Sequence, residues 1–137
     1  MSAFVVDASV TLAWCFEDEA DSLSDRLLEK LARGDRILVP AHWPTEVLNG
    51  LLVAQRRKRI RPGQATLFWD EIARLRIGME PPLSAIQAKL VLALSEKHGL
   101  TAYDAAYLEL ASRRQVPLGT LDADLRSAAQ TEGIALP

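Results

Sequence analysis

The sequence predicts an α/β protein built on a parallel sheet of about four or five strands. Short apolar runs alternate with longer segments in which apolar residues recur at helical spacing, an order typical of strands joined by helical crossovers. The first run contains Phe4-Val5-Val6, an aromatic followed by two β-branched residues, as in a strand covered on both faces. The length of 137 residues suits one core, so we expect a single domain over residues 1–137.

The N-terminal part of the chain predicts two strands and one long helix. The apolar run at residues 4–10 contains the first strand, and residues 11–18 are expected to form a turn or a short helix. A helix follows over residues 21–33 and is ended by a glycine, and a proline ends a second strand at residues 37–39. The helix places its apolar stripe at Leu23, Leu27, Leu28 and Leu31.

The middle of the chain predicts two further helices and a short strand. One helix begins at Trp43-Pro44, where proline is tolerated in the first turn, and finishes in the basic residues 56–59. A second helix covers residues 64–76, and a short strand follows at residues 77–80. The residues expected to face inward are Val47, Leu48, Leu51, Leu52, Leu67, Phe68, Ile72 and Leu75.

The C-terminal part predicts three helices and two strands. Ser84 caps a helix over residues 85–97 that presents Ile86, Leu90 and Leu94 inward, and His98-Gly99 closes it. Thr101 begins a helix over residues 102–114. The remaining elements are a strand, a helix and a last edge strand, at residues 116–120, 122–131 and 134–136.

Composition and charge narrow the class of protein. With 49% hydrophobic residues, 25% charged residues and a net charge of -2, the chain has an ordinary globular composition and no overall basic field for nucleic acid. Its one cysteine, Cys15, excludes an intramolecular disulfide and is expected in the core. No apolar run approaches the ~20 residues of a membrane span, and the N-terminus lacks a signal-peptide pattern, so we expect a cytoplasmic protein without membrane contact.

Four acidic residues map to one edge of the predicted sheet. Asp7 ends the first strand, Glu46 and Asp104 lie in the first turns of their helices, and Asp122 follows a later strand. In a parallel sheet, strand carboxyl ends and the N-termini of the following helices share one rim, where ligands bind in open α/β folds. Helix N-termini also favour acids through capping and the helix dipole, which explains Glu46, Asp104 or Asp122 about equally well but not a strand-end Asp7.

The chemistry of these side chains favours a hard metal ion. Carboxylates crowded together repel one another, and a site of oxygen ligands suits Mg²⁺ or Mn²⁺ better than zinc. The two histidines are too few for a zinc site: His42 is expected in a loop and His98 at a helix C-terminus. Supporting residues are expected at Ser9, Asn49, Thr120 and Asp124, although each is equally a candidate for a local turn or cap.

Four stretches of the sequence carry a family resemblance that extends over the whole chain. They are Val6-Asp7-Ala8-Ser9, Pro40 with Glu46-Val47-Leu48-Asn49, Thr101-Ala102-Tyr103-Asp104-Ala105-Ala106-Tyr107 with Ala111, and Thr120-Leu121-Asp122-Ala123-Asp124-Leu125. In this order and spacing, the chain resembles a PIN-domain ribonuclease, and within that family a VapC-type toxin of a type II toxin–antitoxin system.

The resemblance implies a PIN-like three-layer α/β/α fold and an acidic site. It implies Asp7, Glu46, Asp104 and Asp122 as catalytic residues, with Asp7, Asp104 and Asp122 holding Mg²⁺ or Mn²⁺. Asp122 stands at the family's least constant acidic position, and Asp124 is its possible substitute.

The function expected from the resemblance is that of a metal-dependent endoribonuclease that hydrolyses RNA with a metal-activated water. A cognate antitoxin would restrain it by laying its C-terminal segment across the active-site groove. One alternative is a catalytically silent PIN-like module that binds RNA or regulates. Another is a phospho-acceptor signalling domain, which the sequence disfavours because the second strand ends in Pro40 and Asp122 stands where a lysine is needed.

Three further features suggest contacts with partners. The basic run of Arg56, Arg57, Lys58, Arg59 and Arg61 is interpreted either as an RNA phosphate-contacting arm or as a solvated helix end, and it would equally suit an acidic protein. Trp43, Phe68 and Trp69 are candidates for base stacking, but core or dimer packing is favoured. The apolar faces of the middle helices exceed what a thin sheet needs, which predicts a homodimer.

Overall fold

A parallel sheet with the order β3-β2-β1-β4 forms the centre of the computed structural model, which describes residues 2–19 and 21–137. Among these residues the sheet has four strands, within the predicted range: β1 (Ala3–Val6), β2 (Arg36–Val39), β3 (Ile77–Met79) and β4 (Leu118–Gly119). β1 pairs with β2 on one side and with β4 on the other. The chain therefore leaves β1 towards β2 and β3 and later returns to its opposite side, which opens a crevice at the strand carboxyl ends.

The helices form two groups that flank this sheet, as predicted for a three-layer α/β/α fold. α1, α2, α3 and α4 pack among themselves, and α6 packs on β1, α5 and α7. The helices are α1 (Ala8–Cys15), α2 (Ser22–Ala32), α3 (Trp43–Arg56), α4 (Gln64–Ala73), α5 (Ala85–His98), α6 (Ala102–Arg114) and α7 (Ala123–Thr131), with a 3₁₀ turn at Glu17–Glu19. Within the described ranges, no helix is long and apolar enough to cross a membrane.

The centre of the sheet explains the apolar run at the start of the chain. Phe4, Val5 and Val6 are all buried, since β1 has a strand on each side and helices cover both faces. Aliphatic side chains of β2 and β4 complete this layer, among them Ile37, Val39 and Leu118. The central strand thus fixes the position of the residue that follows it, Asp7.

The first apolar run is not a single strand, contrary to the prediction for residues 4–10. α1 begins at Ala8, immediately after β1, and not after residue 10. The side chain of Asp7 accepts a hydrogen bond from the backbone N–H of Val10 and so caps this helix. An aspartate three residues before a free N–H is a helix-start signal, and here it outweighs the β propensity of the flanking residues.

The edge strand predicted at residues 134–136 is also absent from the described structure. Gly133 has a positive φ of 73°, and the N–H of Ile134 bonds back to the carbonyl of Ala129 at the end of α7. This segment therefore meets β4 through one hydrogen bond, from Leu118 N to Ala135 O at 3.1 Å. β4 itself covers two residues where the sequence predicted residues 116–120.

Several residues expected to face inward are exposed. Leu27, Val47, Leu51 and Ile72 are buried as predicted. The exceptions share positions at the margin of an apolar stripe, where a four-stranded sheet is too narrow to cover them: Leu28, Leu48, Leu52, Leu67, Ile86 and Leu90. Ile86 and Leu67 are the most exposed of these, at 74% and 63%. The single chain thus leaves part of its apolar helix surface uncovered.

Candidate active site

A cavity of about 330 Å³ lies at the carboxyl end of β1 and contains all four predicted acids. Asp7 comes from the end of β1, Glu46 from the first turn of α3, Asp104 from the first turn of α6, and Asp122 from the residue before α7. The complete lining is Asp7, Ala8, Ser9, Leu12, Glu46, Asn49, Asp104, Tyr107 and Asp122. The sheet topology therefore brings together acids that are up to 115 residues apart in the sequence, since 122 − 7 = 115.

Asp7 is the most buried of the four acids, and each of its carboxylate oxygens is engaged. Oδ1 accepts hydrogen bonds from the Ser9 hydroxyl and the Val10 N–H, and Oδ2 accepts one from the Thr120 hydroxyl. The residue is 5% exposed. Burial raises the pKa of Asp7 above its ordinary value, and the hydrogen bonds oppose that rise.

Ser9 and Thr120 connect the ends of β1 and β4. The Ser9 hydroxyl accepts a hydrogen bond from Leu121 N at 3.0 Å while it donates to Asp7. The Thr120 hydroxyl accepts from Asp122 N at 3.0 Å and also donates to Asp7. These two predicted supporting residues therefore lie where they orient the carboxylate of Asp7.

Glu46 is held through one of its two carboxylate oxygens. The Tyr107 hydroxyl donates to Oε1 at 2.6 Å, and Nε2 of His42 lies 3.2 Å from the same oxygen, outside good hydrogen-bond geometry. Burial alone would raise the pKa of Glu46, but the contacts with His42 and Tyr107 outweigh it, so the pKa is lowered. In the described chain no donor contacts Oε2, which leaves that oxygen available on an ionised side chain.

Asp104 is the acid with the least support from the protein. Its backbone N–H bonds to the Thr101 hydroxyl that caps α6, and the Thr101 side chain is also its only neighbour among the described residues that lowers the pKa of its carboxyl. Burial raises the pKa of Asp104, and the charges of Asp122, Asp7 and Glu46 raise it further. The four carboxylates thus act on one another electrostatically.

Helix capping accounts for two of the four acids, Asp7 and Asp122, but not for the other two. Asp122 caps α7 through a hydrogen bond from Leu125 N to Oδ1 at 2.8 Å. Asp7 also caps a helix, so the expectation that capping could not explain Asp7 is wrong. Glu46 and Asp104 are not caps, because His42 and Thr101 occupy the N-cap positions of α3 and α6. Capping therefore does not account for the convergence of all four.

The remaining predicted site residues divide between the cavity and the surface. Asn49 lines the cavity one helical turn after Glu46, as its spacing predicts. Asp124 is exposed and does not line the cavity. Cys15 is partly buried among core residues, where burial raises the pKa of its thiol to about 11. The structure therefore leaves Asp124 and Cys15 outside the cluster.

The sequence interpretation did not assign a role to Tyr107 or His42. Tyr107 lies three residues after Asp104 on α6, so its position on the same helix face could have been inferred from that spacing. Burial raises the pKa of Tyr107, and the contact with Glu46 adds to the rise, so its hydroxyl remains a donor. His42 precedes Glu46 by four residues, but its ring position depends on packing against Tyr103 and Tyr107, which the sequence does not reveal.

The donors in the cavity suit a hard cation, although they do not form a closed ligand shell. The cavity offers carboxylates, hydroxyls and an amide, and no described cysteine or histidine lines it. Within the described residues, no group of three or more His, Cys, Asp or Glu side chains is arranged as a metal site. The residues fit Mg²⁺ or Mn²⁺ by chemistry, because oxygen donors of four carboxylates face one cavity.

The basic run lies away from this cavity. Arg56 ends α3, and Arg56, Lys58, Arg59 and Arg61 line a separate cleft. Arg59 is committed to Asp18 and Glu19, at 2.9 and 3.1 Å, and its guanidinium lies over the ring of Phe16. The side chains of the run are exposed.

The aromatic residues first considered for stacking belong to the core. Trp43 is fully buried, with its ring 5.9 Å from that of Trp69. Phe68 meets Phe16 edge-on at 6.1 Å. Phe68 and Trp69 pack against the main core, which confirms the core interpretation.

Comparison with known proteins gives consistent matches along the chain. Residues 4–130 match the PIN domain. The chain is 31% identical over 121 residues to Ribonuclease VapC3 of Pyrobaculum aerophilum, covering 88% of this chain and 90% of that protein.

Two solved structures share the fold. PAE2754 from Pyrobaculum aerophilum superposes with a TM-score of 0.69 at 22% identity, covering 93% of this chain and 79% of that one. VapBC2 from Rickettsia felis, solved bound to a DNA fragment from their promoter, superposes with a TM-score of 0.68 at 15% identity, covering 98% and 97%.

Proposed function

The chain belongs to the PIN-domain family and, within it, to the VapC-type ribonucleases, and on that basis we propose that it is an Mg²⁺- or Mn²⁺-dependent endoribonuclease acting as the toxin of a toxin–antitoxin pair. The observation that carries the proposal is the convergence of four carboxylates in one cavity. Burial raises the pKa of Asp104, and the charges of the other three acids raise it further, as expected for carboxylates this close together. Helix capping explains individual acids, but it does not explain why four negative charges lie close enough to act on one another. A cation between them would relieve the repulsion.

We assign the ion to Asp7, Asp104 and Asp122, from the end of β1, the first turn of α6 and the start of α7. When bound, Mg²⁺ or Mn²⁺ supplies a Lewis acid that lowers the pKa of a water and neutralises charge at the scissile phosphate. Asp7 is oriented by Ser9 and Thr120, so its carboxylate needs little rearrangement. Asp122 accepts its capping bond through Oδ1, which leaves Oδ2 for a ligand.

Glu46 is suited to a different task. Its lowered pKa keeps it ionised near neutral pH, and Tyr107 engages only Oε1. Oε2 can then accept the proton of the attacking water, which is the role of a general base. The Ser9 hydroxyl is committed to Asp7, and the Cys15 thiol is partly buried with a raised pKa, so neither is prepared as a nucleophile.

We assign two protein partners under the same proposal. A cognate antitoxin is supported by the family and by the likeness to VapBC2, and it would restrain the enzyme by covering the acidic cavity. A second copy of the chain would cover exposed apolar side chains on α5, where Ile86 is 74% and Leu90 is 51% exposed.

A catalytically silent RNA-binding module is the alternative. It requires no cluster of acids, and a cavity bearing four carboxylates would repel RNA phosphates without a cation. The alternative therefore predicts metal-independent RNA binding that improves when an acid is neutralised, with no cleavage by the parent protein.

The test is cleavage of single-stranded RNA by the purified full-length chain with Mn²⁺. Asp7→Ala, Glu46→Ala and Asp104→Ala should each abolish cleavage while the circular dichroism spectrum stays native, because each removes a carboxylate of the cavity. Asp70→Ala, which removes an exposed acid on α4, is the matched control and should keep full activity. Full cleavage by a folded Asp104→Ala variant, or activity that persists in EDTA, would contradict the metal mechanism.

A further inference from the structure

Tyr103 is a large aromatic side chain exposed beside the acidic cavity. It precedes Asp104 in the first turn of α6, and it is 62% exposed. Tyr103 does not itself line the cavity, and neither do the similarly exposed Leu67 and Ile86, but Tyr103 directly precedes the lining residue Asp104. Exposing an aromatic ring to water is unfavourable, so its place next to a cavity for RNA chemistry calls for an explanation.

The ring of Tyr103 packs near the ring of His42. Its centroid lies 5.5 Å from that of His42, with the planes tilted by 56°. His42 in turn packs edge-on against Tyr107 at 5.0 Å, and Tyr107 donates to Glu46. A row of three rings thus runs from solvent to the carboxylate of Glu46. A ring packed in this way loses little conformational entropy when a ligand covers its free face.

The charges of the residues around the cavity bear on how the protein could contact RNA there. No lysine or arginine is among the described residues that line the cavity, and the four acids repel phosphates. The basic run begins at Arg56, ten residues after Glu46 on α3, or about 15 Å along the helix at 1.5 Å per residue. Arg126 donates to the Thr120 carbonyl at 3.0 Å but does not line the cavity. Beyond the proposed cation, RNA at the cavity would therefore be held more firmly by a protein contact that does not depend on phosphate charge. Stacking of a base on an aromatic face is such a contact.

We propose that Tyr103 forms a base-stacking subsite, which holds an unpaired base of the RNA next to the carboxylates. The subsite rests on the proposed ribonuclease function and adds a determinant of RNA binding to it. Trp43 cannot serve this purpose because it is fully buried, and Phe68 and Trp69 pack against the core. Stacking tolerates any base, so the subsite favours single-stranded over paired RNA without selecting a sequence.

The test measures RNA binding with cleavage suppressed. The full-length chain carrying Asp7→Asn is titrated with a fluorescent single-stranded oligoadenylate, and in parallel with an abasic oligomer of the same length and charge. Tyr103→Leu and Tyr103→Phe are compared in this background. Leu67→Ala, an equally exposed apolar residue on α4, is the matched control.

Tyr103→Leu should weaken oligoadenylate binding by roughly 5- to 150-fold, the equivalent of about 1–3 kcal/mol per stacked base, because it keeps apolar volume but removes the π face. Tyr103→Phe and Leu67→Ala should bind like the parent. Binding of the abasic oligomer should be the same for all variants, and the salt dependence should not change, because stacking neutralises no phosphate.

The two ways of failing are distinguishable. If the parent chain cleaves RNA and binds oligoadenylate, but Tyr103→Leu binds it equally well, the subsite is wrong and the ribonuclease function stands; the exposed ring would then serve a protein contact. If Tyr103→Leu weakens binding of both oligomers alike, its effect is structural and the subsite is also overturned. If the parent neither cleaves nor binds RNA, the proposed function fails and the subsite with it.

Discussion

Asp104 combines partial burial with three negatively charged neighbours, and these outweigh its contact with the Thr101 side chain. Its raised pKa means that the ionised form is unfavourable in the folded chain relative to the unfolded chain. Sites of this kind trade stability against function, since the features that prepare a group to bind a ligand also strain the fold without it.

We expect Asp104→Asn to melt above the wild-type protein in EDTA, because it removes like-charge repulsion with little change in shape. A gain of ~1 kcal/mol corresponds to roughly 3–5 °C for a domain of this size. Added Mn²⁺ should stabilise the wild type more than the variant and close the gap. The measurement is a set of thermal melts with and without metal, with the exposed Asp70→Asn as control. A variant that melts no higher than wild type in EDTA would show that Asp104 is not crowded.

The difference in stability between Asp104→Asn and the wild-type protein should depend on pH. Because the folded pKa of Asp104 lies above its ordinary value of 3.8, protonation stabilises the fold below that value, and this contribution is lost as pH rises through the folded pKa. The stability gap between Asp104→Asn and wild type should therefore be largest at neutral pH and narrow as pH falls towards 4. Asp7 and Glu46 also lose a negatively charged neighbour in Asp104→Asn, which favours their ionised forms and adds to the gap in the same direction.

At the residue scale, the sequence indicates the acids and the partners of Asp7, Ser9 and Thr120, but not the partners of Glu46. Asp7, Glu46, Asp104 and Asp122 are found because strand ends and helix starts can be located from local patterns. The hydrogen bond from Tyr107 to Glu46 joins residues that are 61 positions apart, so it depends on how α6 packs against α3. The position of the His42 ring beside Glu46 depends on the same packing. Exposure of Tyr103 is likewise a tertiary property.

At the element scale, α3 joins two surfaces of opposite charge. Glu46 lies in its first turn and Arg56 at its end, so the acids and the basic run occupy opposite ends of one helix. The negative charge near the N-terminus and the positive charge near the C-terminus both suit the helix dipole, which is enough to explain the pattern without RNA. The separate cleft formed by Arg56 and Arg61 is the feature that favours phosphate binding.

The two interpretations of the basic run predict different salt dependences. Neither Arg56 nor Arg61 has an ion-pair partner in the described chain, whereas Arg59 is paired with Asp18 and Glu19. If the run binds phosphates, the double variant Arg56→Ala/Arg61→Ala should lower the slope of log K against log salt by roughly one unit per lost contact. Arg59→Ala is the matched control within the run and should leave the slope close to that of the parent. An unchanged slope in the double variant would identify the run as a solvated helix end.

Element boundaries follow from the sequence where a local signal exists. The helix predicted at residues 102–114 has the bounds of α6, because Thr101 caps it and its basic C-terminus is distinct. Ser84 and Gln87 form the capping box that begins α5. The prediction of a strand at residues 134–136 is wrong, although the apolar pattern of this segment is compatible with a strand. The hydrogen bond from Ile134 N–H to the end of α7 is a tertiary contact that the pattern does not indicate.

At the scale of the whole molecule, the sheet is too small for the apolar surface that its helices carry. Apolar residues of α3, α4 and α5 stay exposed in the single chain, among them Leu48, Leu52, Leu67, Ile86, Leu90 and Leu92. The sequence predicted this excess from the width of the helix stripes, but it assigned the residues to the interior, because a stripe gives no measure of how much sheet is available to cover it.

A homodimer through α5 is testable with charge substitutions. Ile86→Glu/Leu90→Glu should convert a dimer to a monomer in sedimentation velocity, because burying two carboxylates in an apolar interface is strongly unfavourable. Leu92→Glu is the matched control: Leu92 is 58% exposed but lies about 200° around α5 from Leu90, at ~100° per residue. A wild-type chain that sediments as a monomer at all concentrations would contradict the proposal. A dimer that survives the double substitution would place the interface elsewhere.

The hydrogen bond from Thr120 to Asp7 joins residues 113 positions apart, and that from Leu121 to Ser9 joins residues 112 apart. During translation, β1 emerges early and its neighbour β4 late, and contacts of such sequence separation form slowly because a long loop must first close. Growing chains therefore hold Asp7 without the strand that orients it. A chain whose synthesis ends before residue 118 lacks β4 and Thr120, so we expect it to have no nuclease activity. The cell that makes this enzyme is thus exposed to it only after synthesis has passed the last part of the sheet.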